Sequence, residues 1–125
     1  MIVGIGTDIC EVQRIRQAIA RFGDRFLRRC FTPHEIAYCQ SKANSVERFA
    51  ARFAAKEAAM KAIGTGLSRG VSWQDFNVGR APGGRPVLEL SGRAAQIATG
   101  LGTIRTHLSI THVPEQAVAF VILEC

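Results

Sequence analysis

Lys56, Glu57 and Lys61 are charged residues in a stretch with no evident place for charge. They fall within residues 48–66, RFAARFAAKEAAMKAIGTG, the longest uninterrupted helical pattern in the chain. At 100° per residue, Phe49, Phe53, Met60 and Ile63 share one apolar arc, while Ala50, Ala51, Ala54, Ala55, Ala58, Ala59 and Ala62 cover most of the opposite side. A helix apolar nearly all round is expected to be buried. Charge on it must then be paired, metal-bound or catalytic, because leaving it alone costs several kcal/mol. Lys56 points into the aromatic arc, and Glu57 and Lys61 sit at its edge as an i,i+4 pair. Two other features offer matching chemistry. Asp8 closes the first apolar run and reads either as the cap of the next helix, since Asp8-Ile9-Cys10-Glu11 fits a capping box, or as a metal ligand. Gly64-Thr65-Gly66 ends the long helix and offers backbone N–H groups to an anion.

The elements that must hold these groups follow in order. Residues 1–9 read as a short buried strand rich in β-branched residues, in which Gly4 and Gly6 mark the close approach of a ligand or another backbone. Residues 11–22 show helical periodicity, with Val12, Ile15, Ile19 and Phe22 inward and Arg14, Arg16 and Arg21 outward or at the edges. Arg25, Arg28 and Arg29 come after Gly23. Thr32-Pro33-His34-Glu35 is a helix start, with Thr as cap, Pro at the first position and Glu at the third. Beyond Gly70 the period changes. Val71, Trp73, Phe76 and Val78 suggest a strand region, residues 81–86 a turn and residues 87–90 an antiparallel return. Ser91 caps a helix running to about Leu101. Residues 104–113 alternate partly, residues 117–123 form a fully buried strand, and Pro114-Glu115-Gln116 makes a hairpin between them. The fold class is α+β, an antiparallel or mixed sheet packed on a long central helix, in one domain over residues 1–125.

Charge narrows the choice of partner. There are 16 Lys and Arg against 10 Asp and Glu, a net charge of +6, and only Lys42, Lys56 and Lys61 are lysine. Arginine forks bind phosphate and carboxylate bidentately, so the excess favours a polyanionic partner. Nucleic acid, a nucleotide cofactor and an acidic protein all satisfy that. Cys10, Cys30, Cys39 and Cys125 lack metal-ligand spacing and read as reduced core thiols. The opening MIVGIGTDIC has no basic leader and no run approaches about 18 apolar residues, so no membrane partner is expected and the expected location is cytoplasmic.

Three separated segments together resemble one family. GIGTDICEVQRI, FTPHEIAYC and RFAARFAAKEAAMKAIGTG look like holo-[acyl-carrier-protein] synthase, the small bacterial-type group of 4′-phosphopantetheinyl transferases. WQDFNV, GRPVLEL and HLSITHVPEQAVAFVILE fit as well, so the resemblance covers essentially the full length. G-x-D alone would carry nothing, but GIGTD with F-x-x-K-E-A-x-x-K-A at this separation is highly specific.

The resemblance implies the 4′-phosphopantetheinyl transferase-like fold and a reaction. The phosphopantetheine arm of coenzyme A passes to a serine of apo acyl-carrier protein, releasing adenosine 3′,5′-bisphosphate and supporting fatty acid biosynthesis. The family requires Mg²⁺, held by residues that match Asp8 and Glu57. Mg²⁺ takes hard oxygen ligands and is usually completed by water and substrate phosphates, which suits those residue types. Lys61 matches the family lysine beside the pyrophosphate. Arg52 and His112 match positions near the 3′-phosphate and adenosine of coenzyme A, although His112 also fits a satisfied buried histidine. Gly64, Thr65 and Gly66 match the turn next to the phosphates. The acceptor for the serine proton is either Glu57 or a Mg²⁺-bound water. Carrier proteins are acidic, and the family docks them on the first helix and the segment after it, which makes Arg14, Arg21, Arg25 and Arg28 the docking candidates. The family is a homotrimer with each active site at a subunit boundary. His34 and His107 read as structural, and Lys56 as paired with a nearby carboxylate.

Two rival readings explain less. A basic module binding nucleic acid or a nucleotide leaves Asp8 and Glu57 unexplained, since both repel phosphate unless a metal intervenes, and it lacks exposed aromatics for base stacking. No nucleic-acid partner is therefore expected. An arginine-rich scaffold with no ligand leaves the charges on the buried helix without a purpose.

Overall fold

Helix α4 (Ser45–Ile63) is the axis on which every other layer of the computed structural model rests, and the structure describes residues 1–125. The chain runs β1 (Ile2–Glu11), α1 (Val12–Phe22), α2 (Asp24–Cys30), α3 (Pro33–Gln40) and then α4. After a single 3₁₀ turn at Trp73–Asp75 come β2 (Phe76–Arg80), β3 (Pro86–Leu90), α5 (Gly92–Gly100), β4 (Arg105–His112) and β5 (Gln116–Glu124). Strands β1, β5 and β4 form one antiparallel sheet in that order, and β2 and β3 form a second. Thr106 Oγ1 donates to the Leu88 carbonyl at 2.9 Å, tying β4 to β3. The α+β expectation, with a sheet on a central helix, holds.

Glycine lets the sheet close on the helix. A Cβ at Gly4 would overlap the Ala62 carbonyl oxygen, and one at Gly6 would overlap that of Ala58. Backbone therefore rests on backbone, with α4 contributing alanine on its side of the contact. Ala117, Ala119, Val121 and Leu123 complete the buried face from β5.

Residues 1–9 and 117–123 are buried on one face only, not fully as the sequence suggested. A single helix covers one side of the sheet, and the pleat turns alternate residues to the other side. Ile5 and Ile9 are each 57% exposed and Phe120 39%. Register brings Ile5 opposite Ile122, Thr7 opposite Phe120 and Ile9 opposite Val118, so the outer face is an apolar patch.

Three local expectations change. Asp8 lies inside β1 opposite Ala119 and caps nothing, because the strand continues to Glu11 before α1 begins. Residues after Gly23 form a second short helix, and Phe22, expected inward, is half exposed at the end of α1. Ser72 and Asp75 form a capping box that winds Trp73–Asp75 into a 3₁₀ turn, which delays the strand to Phe76. The ring of Trp73 stacks on Phe53 with centroids 4.8 Å apart.

Lys56 is accounted for. Its Nζ lies 2.6 Å from Glu35 Oε1, with both side chains fully buried, and donates to the carbonyls of Phe76 at 2.9 Å and Trp73 at 3.2 Å. Glu35 Oε1 also accepts from the Thr32 amide at 2.8 Å, completing the predicted capping box, and Oε2 accepts from the Val78 amide at 2.7 Å. One ion pair thus fastens α3 and β2 to α4, with backbone groups satisfying what the two charges leave over.

Candidate active site

Asp8, Glu57 and Lys61 meet where β1 crosses the C-terminal half of α4. Lys61 Nζ lies 3.1 Å from Asp8 Oδ1 and donates to the Thr7 carbonyl at 3.0 Å. Its ion-pair partner is thus Asp8, not the Glu57 expected one turn back. The Asp8 side chain is only 16% exposed, whereas that of Lys61 is 55% exposed and reaches open space. Glu57 takes part in no ion pair. Burial raises its carboxyl above the ordinary carboxylate range and the nearby Asp8 charge adds to this, while Arg14 and Lys61 pull it back.

Two partly desolvated carboxylates with one lysine between them suit a hard divalent cation. No third His, Cys, Asp or Glu completes a protein-only cage. That donor set matches Mg²⁺, which binds through one or two carboxylates with water and substrate phosphates filling the rest of its shell. Calcium sites and structural zinc sites take more protein ligands.

The turn after α4 differs from its sequence reading. Gly64 adopts a left-handed conformation, φ 82°, as helix cap. The Gly64 and Thr65 amides both bond back to the Met60 carbonyl, at 3.0 and 3.2 Å. Neither N–H is free for an anion, because the helix end uses both. Thr65 is buried, and its hydroxyl donates to the Gly66 carbonyl at 2.9 Å. What the turn leaves for a ligand is the Gly66 amide, which gives no backbone hydrogen bond.

Arg52 and His112 come together elsewhere, in a cleft of about 170 Å³ lined by Arg48, Arg52, Arg80, Gly84, Pro86 and His112 among others. His112 Nδ1 pairs with Glu47 Oε1 at 2.8 Å. Arg52 is 5% exposed, and its Nε has no hydrogen-bond partner. Arg52 also lacks a counter-charge, so the cleft it lines with Arg48 and Arg80 is suited to an anion. Arg52 and Lys61 are nine residues apart on α4, which puts them about 180° apart round the helix and roughly 13 Å apart along it. The arginine cleft and the Asp8–Glu57–Lys61 site of one chain therefore face opposite ways.

The chain matches the family model described as the 4′-phosphopantetheinyl transferase superfamily over residues 4–121. It is 68% identical to the holo-[acyl-carrier-protein] synthase of Koribacter versatilis across 99% of both chains. The chain belongs to the 4′-phosphopantetheinyl transferase superfamily, among its holo-[acyl-carrier-protein] synthases. The crystal structure of the Neisseria meningitidis synthase superposes with a TM-score of 0.90 at 36% identity, covering 100% of each chain. The Bacillus anthracis synthase, solved in complex with CoA (3′,5′-ADP), gives 0.80 at 40% identity over 98% of this chain and 96% of that one.

In this transferase the four docking candidates all stand on exposed surface of α1 and α2. Arg14 lies over the Phe53 ring at 5.3 Å and Arg21 over Phe22 at 5.2 Å. Arg25 lines a shallow cleft with Phe22, Phe26 and Arg29, and Arg28 a neighbouring groove with Leu27 and Ile36. Arg14 alone is close enough to Glu57 to affect its protonation. His107 pairs with Glu124 at 3.0 Å, as a structural histidine would, while His34 is exposed. The transferase also carries residues that sequence reasoning passed over, namely Arg48 and Arg80 in the cleft lining and Tyr38 in contact with both. Arg48 and Arg52 stand one helical turn apart, the one signal that could have flagged Arg48.

Proposed function

We propose that residues 1–125 act as one Mg²⁺-dependent holo-[acyl-carrier-protein] synthase domain, moving the phosphopantetheine arm of coenzyme A onto a serine of apo acyl-carrier protein. The observation that carries this reading is the meeting of Asp8, Glu57 and Lys61 at the crossing of β1 and α4. Asp8 and Glu57 would hold the metal, which when bound neutralises charge on the pyrophosphate. Lys61 extends beyond Asp8 and places its ammonium against the same diphosphate, with the Gly66 amide alongside. Gly64 and Thr65 shape that turn rather than contact the donor. The serine oxygen forms a bond to the phosphorus bearing pantetheine, the bond from that phosphorus to the bridging oxygen breaks, and adenosine 3′,5′-bisphosphate leaves. The serine proton needs an acceptor within reach of the attacking oxygen, and the Glu57 carboxylate is the candidate this chain supplies. Arg14, Arg21, Arg25 and Arg28 steer the acidic carrier to this end of the molecule. The holo carrier then serves fatty acid biosynthesis in the cytoplasm.

Coenzyme A also has to meet Arg52 and His112, which bind its 3′-phosphate and adenosine. A cleft of about 170 Å³ is smaller than the roughly 300–1,000 Å³ of ordinary ligand pockets, and it faces away from Lys61. Both facts support a site completed by a neighbouring copy. The apolar outer face around Ile5, Ile9 and Phe120 gives a homotrimer its contact surface.

Chromatographic detection of adenosine 3′,5′-bisphosphate tests the reaction, and it should appear only with coenzyme A, apo carrier and Mg²⁺ together. Co-expressing Glu57→Gln with Arg52→Glu tests the shared site. Random mixing leaves about one interface in four with both halves intact, so activity should recover toward a quarter of wild type. No recovery would place both halves within one subunit.

A further inference from the structure

Tyr38, on α3, touches the three arginines that line the cleft, although the FTPHEIAYC segment that contains it gave it no role. The Arg52 guanidinium lies 4.4 Å from its ring centroid and that of Arg80 5.4 Å. Its hydroxyl accepts from Arg80 Nη1, and from Arg48 Nη1 at 3.4 Å. None of the three arginines takes part in an ion pair. Three uncompensated guanidinium groups therefore converge on one neutral phenol, although like charges repel at such range. The aromatic face attracts cations, and the hydroxyl oxygen can take an N–H on each lone pair. Gly84 takes φ 92° beside the Arg80 guanidinium, a backbone conformation that favours glycine.

We infer that Tyr38 is a positioning residue that holds Arg48, Arg52 and Arg80 in a preassembled fork, and so makes the enzyme selective for donors with a phosphate monoester on the nucleotide. This rests on the reading of the cleft as the site for the 3′-phosphate of coenzyme A. Without the phenol, the arginines spread apart to lower their mutual repulsion, and each phosphate contact then requires re-ordering a long side chain. Arg52 makes no ion pair and its Nη1 gives only one long hydrogen bond, to the Arg48 carbonyl at 3.5 Å, which leaves guanidinium donors for the anion.

Steady-state kinetics of Tyr38→Phe and Tyr38→Leu with coenzyme A and 3′-dephospho-coenzyme A test this, with circular dichroism melts to confirm folding. Tyr38→Phe keeps the ring and loses the acceptor. It should raise the KM for coenzyme A about fivefold, leave kcat within about twofold, and leave the KM for the dephospho donor unchanged. Tyr38→Leu should bring the preference between donors close to that of Arg80→Ala. A wild-type preference retained in both Tyr38 variants overturns the positioning role, as does an equal loss on both donors. If wild-type enzyme itself shows no preference for the phosphorylated donor, the assignment of the cleft fails, and the role of Tyr38 with it.

Discussion

Glu35→Gln removes one charge from a fully buried pair and changes almost nothing in size. The carboxylate of Glu35 serves three donors: Lys56 Nζ at 2.6 Å, the Thr32 amide at 2.8 Å and the Val78 amide at 2.7 Å. A glutamine side chain has one acceptor oxygen and one NH₂ group. Whichever way it turns, the NH₂ group faces either Val78 N–H or both Lys56 and Thr32, donor against donor. Lys56 keeps its two carbonyl acceptors but loses its counter-charge. Breaking a buried pair from one side costs about 3–5 kcal/mol. For a chain of this length that is roughly 10–20 °C in Tm. Urea titration and thermal melts at one fixed protein concentration measure it, since association would add its own stabilisation. Lys56→Met and the double variant close a double-mutant cycle and give the coupling directly. A loss below about 1 kcal/mol, or additive single variants, would refute the claim that this pair fastens α3 and β2 to α4.

Other predictions address charge, thiols and assembly. Arg25→Glu should raise the carrier-protein KM roughly fivefold without moving the coenzyme A KM, and wild-type carrier KM should rise between 50 and 200 mM salt; a salt-independent KM would contradict electrostatic docking. Burial lifts the Cys39 thiol from its ordinary 9.0 to about 11, so the folded chain holds that proton more tightly than the unfolded one. The stability it contributes is complete below pH 9 and is lost as pH rises through 11, a decline that Cys39→Ala should lessen in urea titrations without removing it, because burial raises the Cys10 and Cys30 thiols as well. Phe120→Asp puts a charge on the outer sheet face proposed as the trimer contact and should give monomers in sedimentation experiments, abolishing turnover; an active monomer would refute the proposed shared site.

The long helix was legible because alanine and aromatic spacing set its faces, and Asp8, Glu57 and Lys61 became candidates because their segments resemble a family. The partner of Lys61 was not legible, since sequence spacing along one helix says nothing about a strand laid across it. Gly4 and Gly6 announced that crossing without naming what crossed. Glu35 illustrates a different limit. Its capping role could be read from Thr32-Pro33-His34-Glu35, but its partner is Lys56, 21 positions away along the chain. The outer face of β1 and β5 was misjudged because a hydrophobic run does not say whether one face or both faces of its strand are covered. Arg48, Arg80 and Tyr38 stand on three separate elements, and only the folded chain brings them together.

Intact-mass spectrometry of apo carrier protein, incubated with coenzyme A and this protein, tests the central claim most directly. The predicted result is a mass gain of one phosphopantetheinyl group on the carrier, dependent on Mg²⁺, abolished by chelator and absent with Asp8→Asn or Glu57→Gln. A gain that persists in chelator, or with Glu57→Gln at near-normal rate, would contradict a metal site built on Asp8 and Glu57.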